Sequence, residues 1–373
     1  MWCCFKKAPP GADCRFVETI PKDTQLISTY MSTFECFNEI IVKAKKSIGI
    51  VSFCCNLTSS NEGLLIMNGL IDAAKRGIKI TILVDEQSKD NNVEELTDAG
   101  VNYLKIRMGK KYNDGVLLGS FWISDDERCY IGNASLTGGS ISLIKTLGMY
   151  SEYCSLVKDL HNRFNTFKAL EFDTSFCSKI NTVCCMPLST EYHMYKQLGG
   201  VFFTDSPERV IGCYRTLDAD AVISNINSAK TSICLEILSL VPVIKNEDGS
   251  VTFWPEIFIA IISAAINRNV KVRILISNWT KNDAYSMSSV RSMHEMCLNN
   301  DLTVKVFSHQ NNTKLLIVDG KFGHITSSNF DGTHYLKHGF VSINFTDKEL
   351  VDTLLKIFER DWTSKHSTAL NYN

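Results

Sequence analysis

Two hydrophobic periods run along this chain, and their order is used twice. Apolar residues three and four apart mark helices, while alternating or continuous apolar runs of four to eight residues mark strands. Ser32-Thr33-Phe34-Glu35 opens the first helical run with the spacing of a capping box, and Thr346-Asp347-Lys348-Glu349 repeats that spacing before the last helix. An apolar strand at 48–53 follows the first helix, and the apolar run 257–266 predicts a buried helix. Each half reads as helix, strand, helix, strand, helix, a group of closely spaced strands and a final helix. That alternation calls for an α/β fold, with a mixed, mostly parallel sheet and helices on both faces.

The repetition holds residue by residue. At one offset of 194, residues 117–164 fall on 311–358: Ile123 on Ile317, Asp125 on Asp319, Ile131 on Ile325, Gly138 on Gly332. Leu147 and Met149 fall on Val341 and Ile343. Leu156, Val157, Leu160 and Phe164 fall on Leu350, Val351, Leu354 and Phe358, so the same amphipathic helix is present in both halves. Upstream, Ala44-Lys45-Lys46-Ser47-Ile48 corresponds to Ala229-Lys230-Thr231-Ser232-Ile233, and Arg76-Gly77-Ile78-Lys79-Ile80 to Arg268-Asn269-Val270-Lys271-Val272. The expectation is a pseudo-two-fold pair of lobes, 1–175 and 216–373. An inter-lobe segment at 176–215 separates them, where periodicity fades and Gly199-Gly200 and Pro207 occur.

Length and charge narrow the function. At 373 residues the chain is long enough for two cores. With 39 Lys+Arg against 40 Asp+Glu it has no basic field for a nucleic-acid backbone, so an anionic ligand must be met locally. The N-terminus lacks the apolar stretch of a signal peptide, and no apolar run is long enough to span a bilayer. In a reducing compartment the 14 cysteines are expected to be thiols. There is no Cys-x-x-Cys pair, and His334 and His338 lack a second ligand pair, so neither a metal nor another cofactor is expected.

The candidate chemistry lies in the closely spaced strands. In the second half, Asn312, Lys314 and Asp319 are followed by Thr326, Ser327 and Asn329. A strand containing Leu315 and Val318, a turn at Asp319-Gly320 and a strand from Phe322 make a hairpin that brings Lys314 and Asn329 to one sheet end. There an ammonium and neutral polar groups can hold a phosphoryl group. The spacing resembles the phospholipase D signature, His-x-Lys, four residues, Asp, six residues, Gly-Ser-x-Asn, which that superfamily carries twice. Here Asn312 and Thr326 replace the histidine and glycine. The first copy is more degenerate: Leu118, Ser120, Asp125, Gly132, Asn133 and Ser135 occupy its six positions. The resemblance implies a phosphohistidine nucleophile and a histidine acid, and neither histidine is present, so that route is excluded. Lys314, Asp319 and Asn312 become the candidate catalytic residues. Ser327, Asn329, Ser120, Asp125, Asn133 and Ser135 become candidate headgroup contacts. Of His309, His324, His334 and His338, His334 is the better substitute acid or base, in a loop beside the motif, and His324 reads as structural.

Along its whole length the chain resembles the poxvirus envelope proteins of the phospholipase D superfamily. The resemblance is carried by Thr33-Phe34-Glu35-Cys36-Phe37-Asn38-Glu39-Ile40-Ile41, Ser124-Asp125-Asp126-Glu127-Arg128-Cys129-Tyr130, Asn329-Phe330-Asp331-Gly332-Thr333-His334-Tyr335 and Phe358-Glu359-Arg360-Asp361-Trp362. It implies an acylated peripheral protein of the virion's outer wrapping membrane, acting on the cytosolic face of Golgi and endosomal membranes, with phospholipase-type activity on a variant motif. Membrane phospholipids, viral envelope glycoproteins and host vesicle-trafficking proteins are the implied partners, with a second copy of the chain as a further candidate and nucleic acid disfavoured. The alternative is an inactive scaffold that recruits those proteins.

The family's palmitoylated pair falls on Cys184 and Cys185. Cys3 and Cys4, flanked by Trp2, Phe5, Lys6 and Lys7, are a second candidate pair. Two acyl chains anchor stably where one does not. Cys54 and Cys55 end an apolar strand and read as buried thiols. Tyr153 and Leu156 have the form of a tyrosine-based trafficking signal, although Leu156 also belongs to the repeated helix face.

Overall fold

The computed structural model describes residues 14–108, 115–170, 200–211, 215–278, 284–297 and 301–370. The first lobe opens with a strand that the hydrophobic pattern did not announce, β1 (Cys14–Thr19), with short β2 (Met31–Ser32) beside it. Helix α1 (Thr33–Lys43) starts as predicted. The Ser32 hydroxyl accepts from the Glu35 amide while the Glu35 carboxylate accepts from the Ser32 amide. Its apolar stripe of Cys36, Phe37, Ile40 and Ile41 is buried. There follow β3 (Ser47–Val51), α2 (Asn61–Lys75), β4 (Lys79–Asp85), α3 (Val93–Asp98) and β5 (Asn102–Ile106). Next come β6 (Phe121–Ser124), β7 (Arg128–Gly132), β8 (Thr146–Ser151) and α4 (Cys154–Ala169).

The second lobe repeats this order. It comprises β9 (Val201–Ser206), α5 (Asp218–Ser228), β10 (Ser232–Ile237), α6 (Glu256–Arg268), β11 (Lys271–Ser277), α7 (Ala284–Met296) and β12 (Leu302–Phe307). Then come β13 (Leu315–Val318), β14 (Phe322–Ile325), α8 (Gly332–Lys337), β15 (Phe340–Phe345), α9 (Lys348–Thr363) and β16 (Ser367–Ala369).

The sheets are ordered β2-β1-β8-β7-β6-β3-β4-β5 and β9-β15-β14-β13-β10-β11-β12-β16, so seven strands correspond one for one. Four expectations change in detail. Within these two sheets parallel pairing is confined to β3-β4-β5, β10-β11-β12 and the short β1-β2 pair, and antiparallel pairs outnumber it, because the closely spaced strands are joined by tight turns. The second lobe begins earlier than 216, since β9 forms the edge of its sheet. The cap of α9 is Asp347, one residue beyond the expected threonine, accepting from the Leu350 amide. Finally, α6 is buried along one face only, leaving Ile259 and Ile266 exposed on the other.

Three buried clusters divide the interior. One fills the outer face of the first sheet beneath α1, α2 and α3, and a second lies beneath α5, α6 and α7 of the other lobe. The third is shared: α4 and α9 contribute Leu156, Leu160, Leu350 and Leu354 to one continuous apolar layer with Phe16, Ile123, Ile317 and Phe345 from the facing sheets. An edge-to-face contact between Phe16 and Phe345, centroids 6.0 Å apart, crosses that layer. Such a layer makes the lobes one packed body.

Candidate functional site at the lobe seam

Backbone pairing at the seam follows the internal two-fold. Leu117 pairs with Gly339 and Lys145 with Asn311; since 117 corresponds to 311 and 145 to 339, each pair is the image of the other. The hydrogen bonds obey the same rule. The Leu118 amide donates to the Gly339 carbonyl at 2.8 Å, and the Asn312 amide to the Lys145 carbonyl at 2.8 Å. The motif segments of both lobes are thereby stitched to each other.

Polar side chains of the second lobe gather beside this seam. The Asn312 Nδ2 donates to the Asn133 carbonyl of the first lobe at 2.8 Å, and Asn133 Nδ2 reaches the Thr326 carbonyl at 3.3 Å. That leaves Asn312 Oδ1 facing Lys314, whose Nζ bonds it and also the Asn312 carbonyl, 3.2 Å away. Lys314 is 3 % exposed. Removal from water pushes its pKa down to about 7, because burial disfavours the charged form. Thr326 lies opposite Lys314, its amide donating to the Lys314 carbonyl at 3.2 Å. Just beyond it, Ser327 Oγ and Asn329 Oδ1 are buried without a hydrogen-bond partner. Unsatisfied buried polar atoms of this kind mark a place for a ligand, the Ser327 hydroxyl able to donate to an oxygen and Asn329 Oδ1 to accept from a hydroxyl or water.

In the first lobe the corresponding positions are closed. Leu118 packs against the second lobe's core, and the Ser120 hydroxyl is spent on the Ala134 carbonyl. Asn133 is used twice, its Oδ1 also accepting from the Leu147 amide at 2.7 Å. Ser135 lies half-buried in the turn between β7 and β8. Asn133 therefore joins the second-lobe cluster through its carbonyl, whereas the other first-lobe candidates do not contact it.

Asp319 and Asp125 differ from expectation. Asp319 lies at the far end of β13, on the hairpin turn, with a positive φ of 54°. Its carboxylate accepts from the amides of Lys230, Thr231 and Ser232 and from the Thr231 hydroxyl. Asp125, at φ 57°, does the same for Lys45, Lys46 and Ser47. Burial works against the ionised form of each, but the amides outweigh it and hold both below the usual carboxylate range. They fasten β3 and β10 to the turn and do not join Lys314.

The histidines also sort clearly. His324 is fully buried and bonded to Asn344. His334 lies in helix α8, where a loop was expected, and is paired with Asp331 at 2.8 Å. His338 accepts from the Val116 amide through Nδ1, and burial together with His334 pushes its pKa to about 3. His309 bonds Ser308. Leu156 is buried in the shared layer, so the Tyr153–Leu156 segment is the start of α4 and not an exposed trafficking peptide. Cys55 is a buried core thiol as expected whereas Cys54 is half-buried, and burial pushes the Cys54 thiol to about 11 and that of Cys55 to about 12, which makes both unreactive. Cys3, Cys4, Cys184 and Cys185 lie outside the described residues.

One group escaped sequence reasoning. Lys145 has no exposed surface, yet its Nζ contacts Glu236 at 3.0 Å, Asp361 at 2.8 Å and the Thr313 hydroxyl at 2.9 Å. Asn311 Nδ2 completes the set on Glu236 at 2.6 Å. Burial opposes the ammonium, but Asp361 and Glu236 outweigh it and raise its pKa above the ordinary lysine value. The available signal was a lysine inside the apolar run Ile144-Lys145-Thr146-Leu147, at the position matched by Gly339 in the other half.

Comparison with known proteins agrees with this geometry. A family model described as "PLD3/4, PLD-like domain" matches residues 24–312. The chain is 54% identical over 369 residues to envelope phospholipase OPG057 of vaccinia virus, covering 98% of this chain and 99% of that protein. The chain belongs to this phospholipase D-like family of poxvirus envelope proteins. Another relative, the envelope protein F13 homolog of molluscum contagiosum virus subtype 2, is 40% identical over 372 residues, covering 96% of this chain and 94% of its own. Among solved structures, phosphatidylserine synthase of Haemophilus influenzae has the same fold, with a TM-score of 0.66 at 12% identity over 90% of this chain and 85% of its own. For a family of envelope proteins, one further observation matters: among the described residues, no helix is long and apolar enough to cross a membrane.

Proposed function

We propose that the protein is a peripheral, acyl-anchored envelope protein that wraps virions in Golgi or endosomal membrane and serves their egress, with a phospholipid phosphodiester bound and hydrolysed at the lobe seam. The observation that carries the reading is the cluster of Asn312, Lys314, Ser327 and Asn329 against Asn133, with two buried polar atoms awaiting partners. One titratable amine among neutral polar groups suits a single phosphodiester charge better than a polyanion. The printed name of the relatives at 54% identity, envelope phospholipase, supports a lipid as the substrate class, whereas a relative at 30% identity is named a virion nicking-joining enzyme. Acyl chains on Cys184 and Cys185, with Cys3 and Cys4 as a second pair, would supply the anchor in place of a spanning helix.

Purified protein incubated with phospholipid vesicles is expected to release product, and Lys314→Ala to lower release by about 10²-fold, the scale of losing one catalytic group. Equal release by both proteins would remove the assignment. Cys184→Ser with Cys185→Ser is expected to move the protein from the membrane to the soluble fraction; unchanged pelleting would transfer the anchor to Cys3 and Cys4 or to a partner. The second reading, a scaffold recruiting glycoproteins and trafficking proteins, is favoured by Leu118 and Asn312 standing where the superfamily has its two histidines.

A further inference from the structure

We propose that Lys314 is the proton-transfer residue of the seam site, taking the proton from the water that attacks the phosphodiester. The inference rests on the phosphodiester reading above and gives Lys314 a task other than that of a fixed positive clamp.

The geometry of the cluster is the first support. Among the described residues, Lys314 Nζ hydrogen-bonds only to the side-chain and main-chain oxygens of Asn312, both neutral acceptors. Asn312 is locked in that orientation by its own bond to Asn133. An amine can donate hydrogen to these oxygens and keep its lone pair free. Charged and titratable groups on the surrounding elements are engaged elsewhere. Glu236 on β10 is held by Lys145 and Asn311, and Asp319 by the amides before β10. His324 on β14 is held by Asn344, with Asp218 at 3.9 Å. Lys145, across the seam, is closed by Glu236 and Asp361. Among the described residues no carboxylate lies within ion-pair distance of Lys314, and no imidazole hydrogen-bonds to Asn312, Lys314 or Asn133.

Burial without a counter-charge favours the neutral amine, and the resulting value near neutrality is where a general base works best. The unpartnered Ser327 hydroxyl can donate to a phosphoryl oxygen, and Asn329 Oδ1 can accept from a hydroxyl or water. In the step, the Lys314 lone pair takes a proton from water as the water oxygen bonds to phosphorus. The bond from phosphorus to the leaving alcohol breaks with its electron pair on oxygen, which is protonated from solvent, and the ammonium then returns its proton to solvent. One water is consumed, and a phosphomonoester and an alcohol are formed.

Two measurements on the full chain decide the matter. In the first, the pH dependence of Lys314 modification by a small amine reagent is followed by mass spectrometry, with a short lysine peptide in the same tube as the reference. A half-maximal rate near pH 7 for Lys314, against one at about pH 10 for the free peptide, is expected. A midpoint near 10 for Lys314 overturns the proposal, even where the protein hydrolyses lipid. In the second, wild type, Lys314→Arg and Lys314→Gln are assayed on phosphatidylcholine vesicles containing phosphatidylglycerol. Arginine keeps the charge but cannot give up its proton, so it is expected to fall as far as glutamine, by about 10²-fold or more. Retained activity in Lys314→Arg overturns the proposal. Inactivity of the wild type, with a midpoint near 7, overturns the phosphodiester reading and with it the catalytic role, while the unusual amine stands as measured.

Discussion

Lys145 and Lys314 are both buried at the same seam, yet their surroundings give them opposite characters. Lys145 has two carboxylates and a hydroxyl around its Nζ and stays an ammonium; Lys314 has, among the described residues, only the oxygens of an asparagine and tends toward the amine. Depth is the same in both cases, so the partner set decides the charge. A paired buried lysine fixes the lobes together, whereas an unpaired one stores unfavourable desolvation at a place where a ligand's charge can relieve it.

The largest expected effect breaks the first half of that comparison. Lys145→Met leaves Glu236 and Asp361 buried without their cation and is expected to lower stability by about 3–5 kcal/mol in chemical denaturation, as for other buried pairs stripped of one partner. Adding Glu236→Gln should recover part of the loss, giving a non-zero coupling energy in the double-mutant cycle. A Lys145→Met protein as stable as wild type would mean that the network is ornamental.

A smaller effect sharpens the second half. A lysine whose folded pKa lies near 7 binds fewer protons folded than unfolded between pH 7 and about 10, so its contribution to stability rises with pH across that window. From pH 7 to pH 9 the stability of wild type is expected to gain about 2 kcal/mol relative to Lys314→Met, at 1.36 kcal/mol per pKa unit. Below pH 7 both states take up the proton and the difference flattens. Parallel pH curves for the two proteins would show that Lys314 is an ordinary ammonium.

The seam explains which parts of this molecule were legible in advance. The offset of 194 that aligns Leu117 with Asn311 is the same relation that makes their seam pairings images of each other, so the two-lobe architecture was readable from the repeat. Lys314, Ser327 and Asn329 were found because their spacing survives. Lys145, Glu236 and Asp361 were not, because the three come from segments far apart in the chain and nothing local marks them as partners. Strands β1 and β9 were missed for a related reason: their pairing partners, β8 and β15, lie more than 100 residues away. Asp319 was placed on the hairpin turn correctly, but the signature grouped it with Lys314, from which a strand separates it.

The aspartates give the smallest and most symmetrical test. Asp125 and Asp319 occupy equivalent turns, each holding three consecutive amides, although only one belongs to a lobe with an open polar site. If their work is to fasten the strand, Asp125→Asn and Asp319→Asn should cost the same, about 1–2 kcal/mol, because the amide keeps one acceptor oxygen and loses the charge that strengthens the bonds. Each carboxylate is held below its ordinary pKa, so its contribution is present above about pH 4 and fades as pH falls through the folded value. The mutants and wild type should therefore converge in stability toward pH 2. Per folded molecule, vesicle hydrolysis should be unchanged in both variants. A selective loss of turnover in Asp319→Asn, with Asp125→Asn unaffected, would bring Asp319 back into the chemistry and break the equivalence of the two turns.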